Sequence, residues 1–308
     1  MTENRIKNNK RVLLLFVDGL GIGENNAAKN PCCQPQLYYF RHTLADSFPK
    51  SLQPQGVAFG LDANLDVPGL PQSATGQTAL FTGVNASQLL GRHLNHRPNE
   101  QLRMVIRDHS IFKRVTEAGK KAAFLNGFRP PFFDHPPEEL IHYLSVTSCM
   151  NLYAGLKFFN LDDLHNERCV YQDMSGDALR DKGFAAPVFT PAKAGEIIAR
   201  RSQLYNLALF EYFQTDFAGH SLDMQRSLNE LFKLEEFLAS LLQHIDLTQT
   251  LVLLTSDHGN IEDITFKGHT RNPAMTLAFG AGSEELPQRL HSIMDVAGEV
   301  EKIVITTD

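Results

Sequence analysis

The chain has 308 residues, with 29 Lys and Arg against 35 Asp and Glu for a formal charge of −6. That length is ample for one large α/β domain, and without a long basic run there is no electrostatic footprint for nucleic acid or anionic lipid. At 43% hydrophobic and 21% charged residues the composition is globular rather than disordered, and the apolar runs are strand-length, far short of the roughly 20 residues of a membrane span. The expected partner is a small molecule, with no nucleic acid and no membrane.

The polar start, Met1 to Arg11, leads into apolar Val12 to Val17 and imitates a signal peptide. The apolar part is too short, and Asp18 stands where a cleavage site should be. Cys32, Cys33, Cys149 and Cys169 show neither CxxC spacing nor the density of a disulfide scaffold. These features predict reduced thiols and a cytoplasmic chain.

In chain order, Val12 to Val17 reads as a strand buried on both faces, ending in Asp18-Gly19. Ile111 to Ala118 reads as a helix stopped by Gly119, and Lys121 to Leu125 as the strand after it. The stretch 127–187, with Pro130-Pro131, Pro136-Pro137 and many aromatics, is the least regular and is expected to form a small cap or insertion. Pro191 to Leu204 is helical, with Pro in its first turn, and Leu207 to Phe213 is a strand. Ser221 to Ile245 is an amphipathic helix, since Leu228, Leu231, Leu234, Leu238, Leu241 and Leu242 recur at three- and four-residue steps. Leu251 to Leu254 and Met275 to Phe279 are further strands, and Gln288 to Val300 a closing helix. Strands separated by helices predict a single α/β domain, 1–308, with a mostly parallel central sheet covered on both faces.

In such sheets ligands bind beyond the carboxyl ends of the strands. Asp18-Gly19-Leu20-Gly21 follows the first strand, Asp216-Phe217-Ala218-Gly219-His220 follows Leu207 to Phe213, and Asp257-His258-Gly259-Asn260 follows Leu251 to Leu254. Gly268-His269-Thr270-Arg271-Asn272-Pro273 precedes Met275. Three aspartates and three histidines gathered at one edge supply oxygen and imidazole ligands for two divalent cations, a mixture that suits zinc or manganese. The run from Gly69 to Gly83 adds a nucleophile. Small, hydroxylated residues lead into a helix with Ser73 as its expected N-cap; the free amides and partial positive charge there suit a phosphate or sulfate. Thr75 and Thr78 are rival hydroxyls. Gly19-Leu20-Gly21-Ile22-Gly23 lacks dinucleotide-binding spacing. Asn126, Arg129, Arg92, His93 and Arg271 are candidates for touching a substrate anion, with no spacing rule to choose among them.

Together, Asp18-Gly19-x-Gly21, the Ser73 segment, Asp216-x-x-Gly-His220, Thr255-x-Asp257-His258-Gly259-Asn260-x-Glu262 and His269-Thr270-x-Asn272-Pro273 resemble the alkaline phosphatase superfamily. The likeness is nearest to its branch of cofactor-independent phosphoglycerate mutases and phosphopentomutases, and covers roughly Arg11 to Gly91 and Asn206 to the C-terminus. The resemblance implies an alkaline phosphatase-like three-layer sandwich with two metal ions, zinc or manganese. One would be held by Asp216, His220 and His269, the other by Asp18, Asp257, His258 and the Ser73 oxygen, with Ser73 as the nucleophile. Gln77 stands where the mutases carry histidine, and the stretch between the two blocks is much shorter than in the two-domain mutases. The expectation is therefore a two-metal hydrolase of phosphate esters, a phosphatase or phosphodiesterase. A phosphomutase, a sulfo- or phosphonohydrolase and a metal-binding protein without turnover are the alternatives.

Overall fold

The computed structural model describes residues 10–305; the polar stretch at 1–9 that imitates a leader lies outside them. In its first half the strands are β1 (Arg11–Val17), β2 (Lys50–Leu52), β3 (Gly56–Leu61) and β4 (Ala122–Phe124). The helices between and after them are α1 (Ser73–Thr82), α2 (Ala86–Leu90), α3 (Glu100–His109), α4 (Ile111–Glu117), α5 (Val146–Tyr153), α6 (Leu161–His165) and α7 (Asp177–Arg180). The second half alternates: α8 (Pro191–Ser202), β5 (Leu207–Tyr212), α9 (Gln214–Ser221), α10 (Met224–His244), β6 (Thr250–Thr255), β7 (Ala274–Gly280) and α11 (Asp295–Ile305).

The strands form one sheet in the order β2-β3-β7-β6-β1-β5-β4. β1 pairs in parallel with β5 and β6, and β4 in parallel with β5. β7, β3 and β2 pair antiparallel in turn, so half of this open α/β sheet is parallel and the other half is not. Because β7 runs against β6, its N-terminal end lies at the same edge as the C-terminal ends of β1, β5 and β6. That geometry brings the loop carrying His269 to the edge where Asp18, Asp216 and Asp257 emerge.

Side chains of a strand alternate between faces, and β1 divides accordingly. Leu13, Leu15 and Val17 join one core, under α8 and α10. Val12, Leu14 and Phe16 join the other, which includes α4, α5 and α11. Leu231, Leu234, Leu238 and Leu241 of α10 are all buried, at roughly 1.5–3 kcal/mol for each such side chain removed from water. The stretch 127–187 contributes to both cores, with Phe159, Leu164 and Val170 on one face and Val146, Cys149 and Met150 on the other. No helix among the described residues is long and apolar enough to cross a membrane.

Three expected boundaries are corrected. The long helix begins at Met224, because the Asp223 side chain caps it by accepting from the Arg226 amide, and Leu222 just before has φ +57°. The closing helix begins at Asp295; residues ahead of it are held extended against Asp62, which exchanges backbone bonds of 2.9 and 3.0 Å with His291 and Ile293. Ser73 is not a cap. Gln72 is the extended N-cap of α1, and Ser73 is its first helical residue.

Candidate active site

The hydroxyl of Ser73, not engaged in capping, turns toward the sheet edge. Its Oγ lies 3.1 Å from His258 Nε2 and 3.4 Å from Asn95 Oδ1. All ten residues of α1 are buried, and Gly76 lets the helix approach the β6 edge: a Cβ there would lie 2.9 Å from the Asp257 carbonyl oxygen. Ser73 is thereby held beside the segment that carries Asp257 and His258.

Around this hydroxyl, Asp18, Asp257 and His258 offer donor atoms within 4.8 Å of one another, and so do Asp216, His258 and His269. His258 Nε2 is 3.4 Å from a carboxylate oxygen of both Asp18 and Asp257. His269 Nε2 is 3.5 Å from Asp216 Oδ1, and His220 Nε2 is 3.3 Å from Asp216 Oδ2 and from His269 Nε2. The rings of His258 and His269 stack at 3.6 Å.

The surrounding polar groups aim these side chains. His269 Nδ1 lies 2.7 Å from the Pro71 carbonyl; a carbonyl only accepts, so Nδ1 carries the proton and the Nε2 lone pair of the neutral ring faces the cluster. Asn260 Nδ2 donates to Asp216 Oδ1 at 2.6 Å, and Gln77 Nε2 to Asp18 Oδ2 at 3.2 Å. Buried Glu262 ties three loops together, accepting from the amides of Gly21 and Asn260, from the Thr270 hydroxyl and from Asn272 Nδ2. Gly19, at φ +69°, leaves room for Asp216, whose Oδ1 would stand 2.8 Å from a Cβ there.

Electrostatically the cluster is strained. Burial, then the charge of Asp216, lifts Asp257 to about 7. Burial and the neighbouring carboxylates of Asp257 and Asp216 raise Asp18 well above its ordinary value. Burial holds His258 and His269 at about 4, so both rings are neutral at pH 7. Asp216, although burial opposes its ionisation, is held at about 2 by His220 and the other imidazoles; its hydrogen bond in turn raises His220. Asp18 Oδ1 and both oxygens of Asp257 are buried without a hydrogen-bond donor. Buried carboxylates without a counter-charge are costly, and oxygen plus neutral imidazole is a donor set that divalent cations satisfy. These residues fit metal ions.

Ser73 and the six expected ligand side chains thus come together at one sheet edge. The substrate candidates do not. Both ends of the Asn126 amide bond the Glu211 backbone at 2.8 Å, which leaves Asn126 a positioning part. Arg129 is exposed at the rim of a neighbouring cavity, and Arg271 is exposed and lines neither cavity. The sequence reading missed Asn95, His96, Ser145, Glu211 and Phe213, which with Ser73 line a cavity of about 250 Å³. The one local signal was Glu211, an acidic residue inside an otherwise apolar strand.

Residues 191–306 match the family model of the Metalloenzyme superfamily, a span that includes Asp216, His220, Asp257, His258 and His269. No curated protein matches the sequence. The structure is similar to the PH0037 protein from Pyrococcus horikoshii, at TM-score 0.57 and 11% identity over 96% of this chain and 97% of that one. It is also similar to an alkaline phosphatase from the Antarctic bacterium TAB5, at TM-score 0.54 and 15% identity over 96% and 98%. A cold-active alkaline phosphatase from the psychrophile Shewanella sp. matches at TM-score 0.56 and 13% identity over 96% and 99%. The chain has the α/β fold of the alkaline phosphatases, and through residues 191–306 it carries the sequence pattern of the Metalloenzyme superfamily.

Proposed function

We propose that this protein is a two-metal hydrolase of small-molecule phosphate esters with Ser73 as its nucleophile. The observation that carries the reading is the Ser73 hydroxyl on the first turn of a buried helix, facing three buried aspartates and two neutral imidazoles. Asp216, His220 and His269 would hold one divalent cation, and Asp18, Asp257, His258 and the Ser73 oxygen the other, with zinc or manganese both suited to the donors. When bound, the two cations would lower the pKa of the serine hydroxyl and neutralise charge on the leaving oxygen.

The chain's own residues do the rest. The amides at the start of α1 receive the phosphate oxygens, and the Ser73 oxygen forms a bond to phosphorus as the ester oxygen departs. Water then cleaves the phosphoserine, releasing inorganic phosphate and restoring the hydroxyl. Hydrolysis is favoured over return of the phosphate because none of the residues lining the cavity is Lys or Arg; a mutase must retain its dephosphorylated intermediate and exclude water until retransfer.

The test is phosphate release from mono- and diesters by purified protein with Mn²⁺ or Zn²⁺. Release that requires metal and disappears in Ser73→Ala supports the proposal. Interconversion of sugar or glycerate phosphates without release overturns it in favour of a mutase, sulfate release in favour of a sulfohydrolase, and binding of metal without turnover in favour of a non-catalytic metal-binding protein.

A further inference from the structure

A second cavity, of about 200 Å³, adjoins the first, and the two share Ser145, Glu211 and Phe213 as a common wall. Its other walls include Phe124, Phe128, Phe132 and Tyr171. Phe128 sits 6.0 Å edge-on from Phe124 and 4.4 Å from Phe132, and both Phe128 and Phe132 are only partly buried. The lining is aromatic on one side and polar on the other, where Arg129, Gln172 and Ser148 join Glu211, 6% exposed, at the shared wall. Thr147 is the only side chain among the described residues that donates to its carboxylate, at 2.8 Å to Oε2. Thr147 lies 2.9 Å from Ser145 Oγ, which bonds Ser148 Oγ at 3.0 Å, so a chain of hydroxyls fixes the carboxylate between the cavities.

We propose that this second cavity seats the alcohol part of the substrate, and that this part is a single planar aromatic ring carrying a hydrogen-bond donor. The inference rests on the phosphohydrolase reading: a phosphate held at Ser73 occupies the first cavity, and the second, which shares a wall with it, is the adjoining space open to the alcohol part. The volume suits one ring, since a dry apolar cavity of about 150 Å³ already admits benzene. Phenylalanine rings offer faces and edges to a planar guest, whereas a polyhydroxylated sugar would bury against those rings the hydroxyls that the polar side of the cavity does not reach. Glu211 only accepts when ionised and has one oxygen without a donor among the described residues, so the guest is selected for a hydroxyl or amine. Asn126 also lines this cavity, its amide fixed by one bond donated to and one accepted from the Glu211 backbone.

Two measurements separate the failure of this proposal from failure of the hydrolase reading. The first compares kcat/KM of the metal-loaded protein for 3-hydroxyphenyl phosphate, phenyl phosphate and glycerol 2-phosphate, in wild type, Phe128→Ala, Phe132→Ala and the control Phe232→Ala, an exposed residue of α10 that lines neither cavity. The second needs no turnover: binding of resorcinol and of benzene, followed by ligand NMR. The expected order is hydroxyphenyl over phenyl over glyceryl, with the aromatic preference at least about tenfold and collapsing in Phe128→Ala and Phe132→Ala but not in Phe232→Ala. Resorcinol is expected to bind better than benzene. Equal rates for aromatic and glyceryl esters, a preference that survives both substitutions, or no resorcinol binding overturns the subsite. No hydrolysis of any ester, with resorcinol bound and lost in Phe128→Ala, overturns the hydrolase reading and keeps the subsite.

Discussion

Ser73 Oγ and His258 Nε2 lie 3.1 Å apart, the separation of a nucleophile and its base, yet the pair is not built as one. A base histidine has a partner on its far nitrogen that orients the ring, and no carboxylate bonds Nδ1 of His258. Asp18 and Asp257 instead face Nε2, the nitrogen that also faces Ser73. Three oxygens converging on one neutral imidazole nitrogen are the arrangement that the proposed metal site calls for.

Ser73→Ala should therefore abolish turnover while sparing metal. The hydroxyl supplies the covalent step, so kcat is expected to fall by about 10³-fold or more. Metal content, measured by elemental analysis of the purified variant, should stay near wild type because the aspartates and imidazoles supply most of the donors. An active Ser73→Ala would remove the nucleophile assignment, and Thr75 or Thr78 would not replace it: their hydroxyls bond to backbone carbonyls of Gln72 and Ala74.

Gly76→Ala tests the seating of α1. Alanine is the better helix former by about 1 kcal/mol, but its methyl would meet the Asp257 carbonyl at 2.9 Å, and overpacking costs about 1–3 kcal/mol. A lower Tm together with reduced kcat is the expected result, since α1 carries Ser73 and must back away from the loop it faces. A higher Tm with full activity would mean the helix has slack that this packing does not show.

Gln77→Ala and Asn260→Ala each remove a side chain that bonds a proposed ligand, Asp18 in the first case and Asp216 in the second. Such partners typically matter by about 10- to 100-fold in metal affinity, and that loss is expected in titrations against a competing chelator. Unchanged affinity in both would argue that Asp18 and Asp216 are not ligands.

The parallel half of the sheet and the edge that bears the site were legible because β1, β5 and β6 are mainly apolar strands, β5 interrupted by Glu211, each followed within a few residues by an aspartate. β2 and β3 were not. Gly56–Leu61 is short and carries two glycines, and its pairing with β7 is decided by tertiary contact rather than local pattern. Ser73 was legible as a hydroxyl at a helix start but misplaced by one position, because Gln72 takes the extended cap conformation without a capping side chain. The second cavity was not legible: Phe124, Phe128, Tyr171 and Glu211 come from distant parts of the chain, and neither spacing nor periodicity signals a wall built that way.

The buried carboxylates also set a pH signature for the metal-free protein. Asp257, at about 7, and Asp18, raised by burial, bind protons in the folded state that the unfolded chain has already released. The contribution of each is present below the ordinary carboxylate value and is lost as pH rises through its folded value, about 7 for Asp257. Glu211, lifted by burial to about 7, acts in the same direction, as does His220, raised by its bond to Asp216. His258 and His269, held at about 4, oppose this only up to the ordinary histidine value of 6.5, where the unfolded chain has also lost its imidazole protons. Above about pH 6.5 the carboxylates and His220 act alone, so the Tm in EDTA is expected to fall between about pH 6.5 and 8. With saturating Mn²⁺ or Zn²⁺ the slope should flatten or reverse, because the cations bind the deprotonated carboxylates and neutral imidazoles that higher pH supplies. Thermal melts at several pH values with and without metal decide it, and parallel profiles in the two conditions would mean that these carboxylates are not where the metal binds.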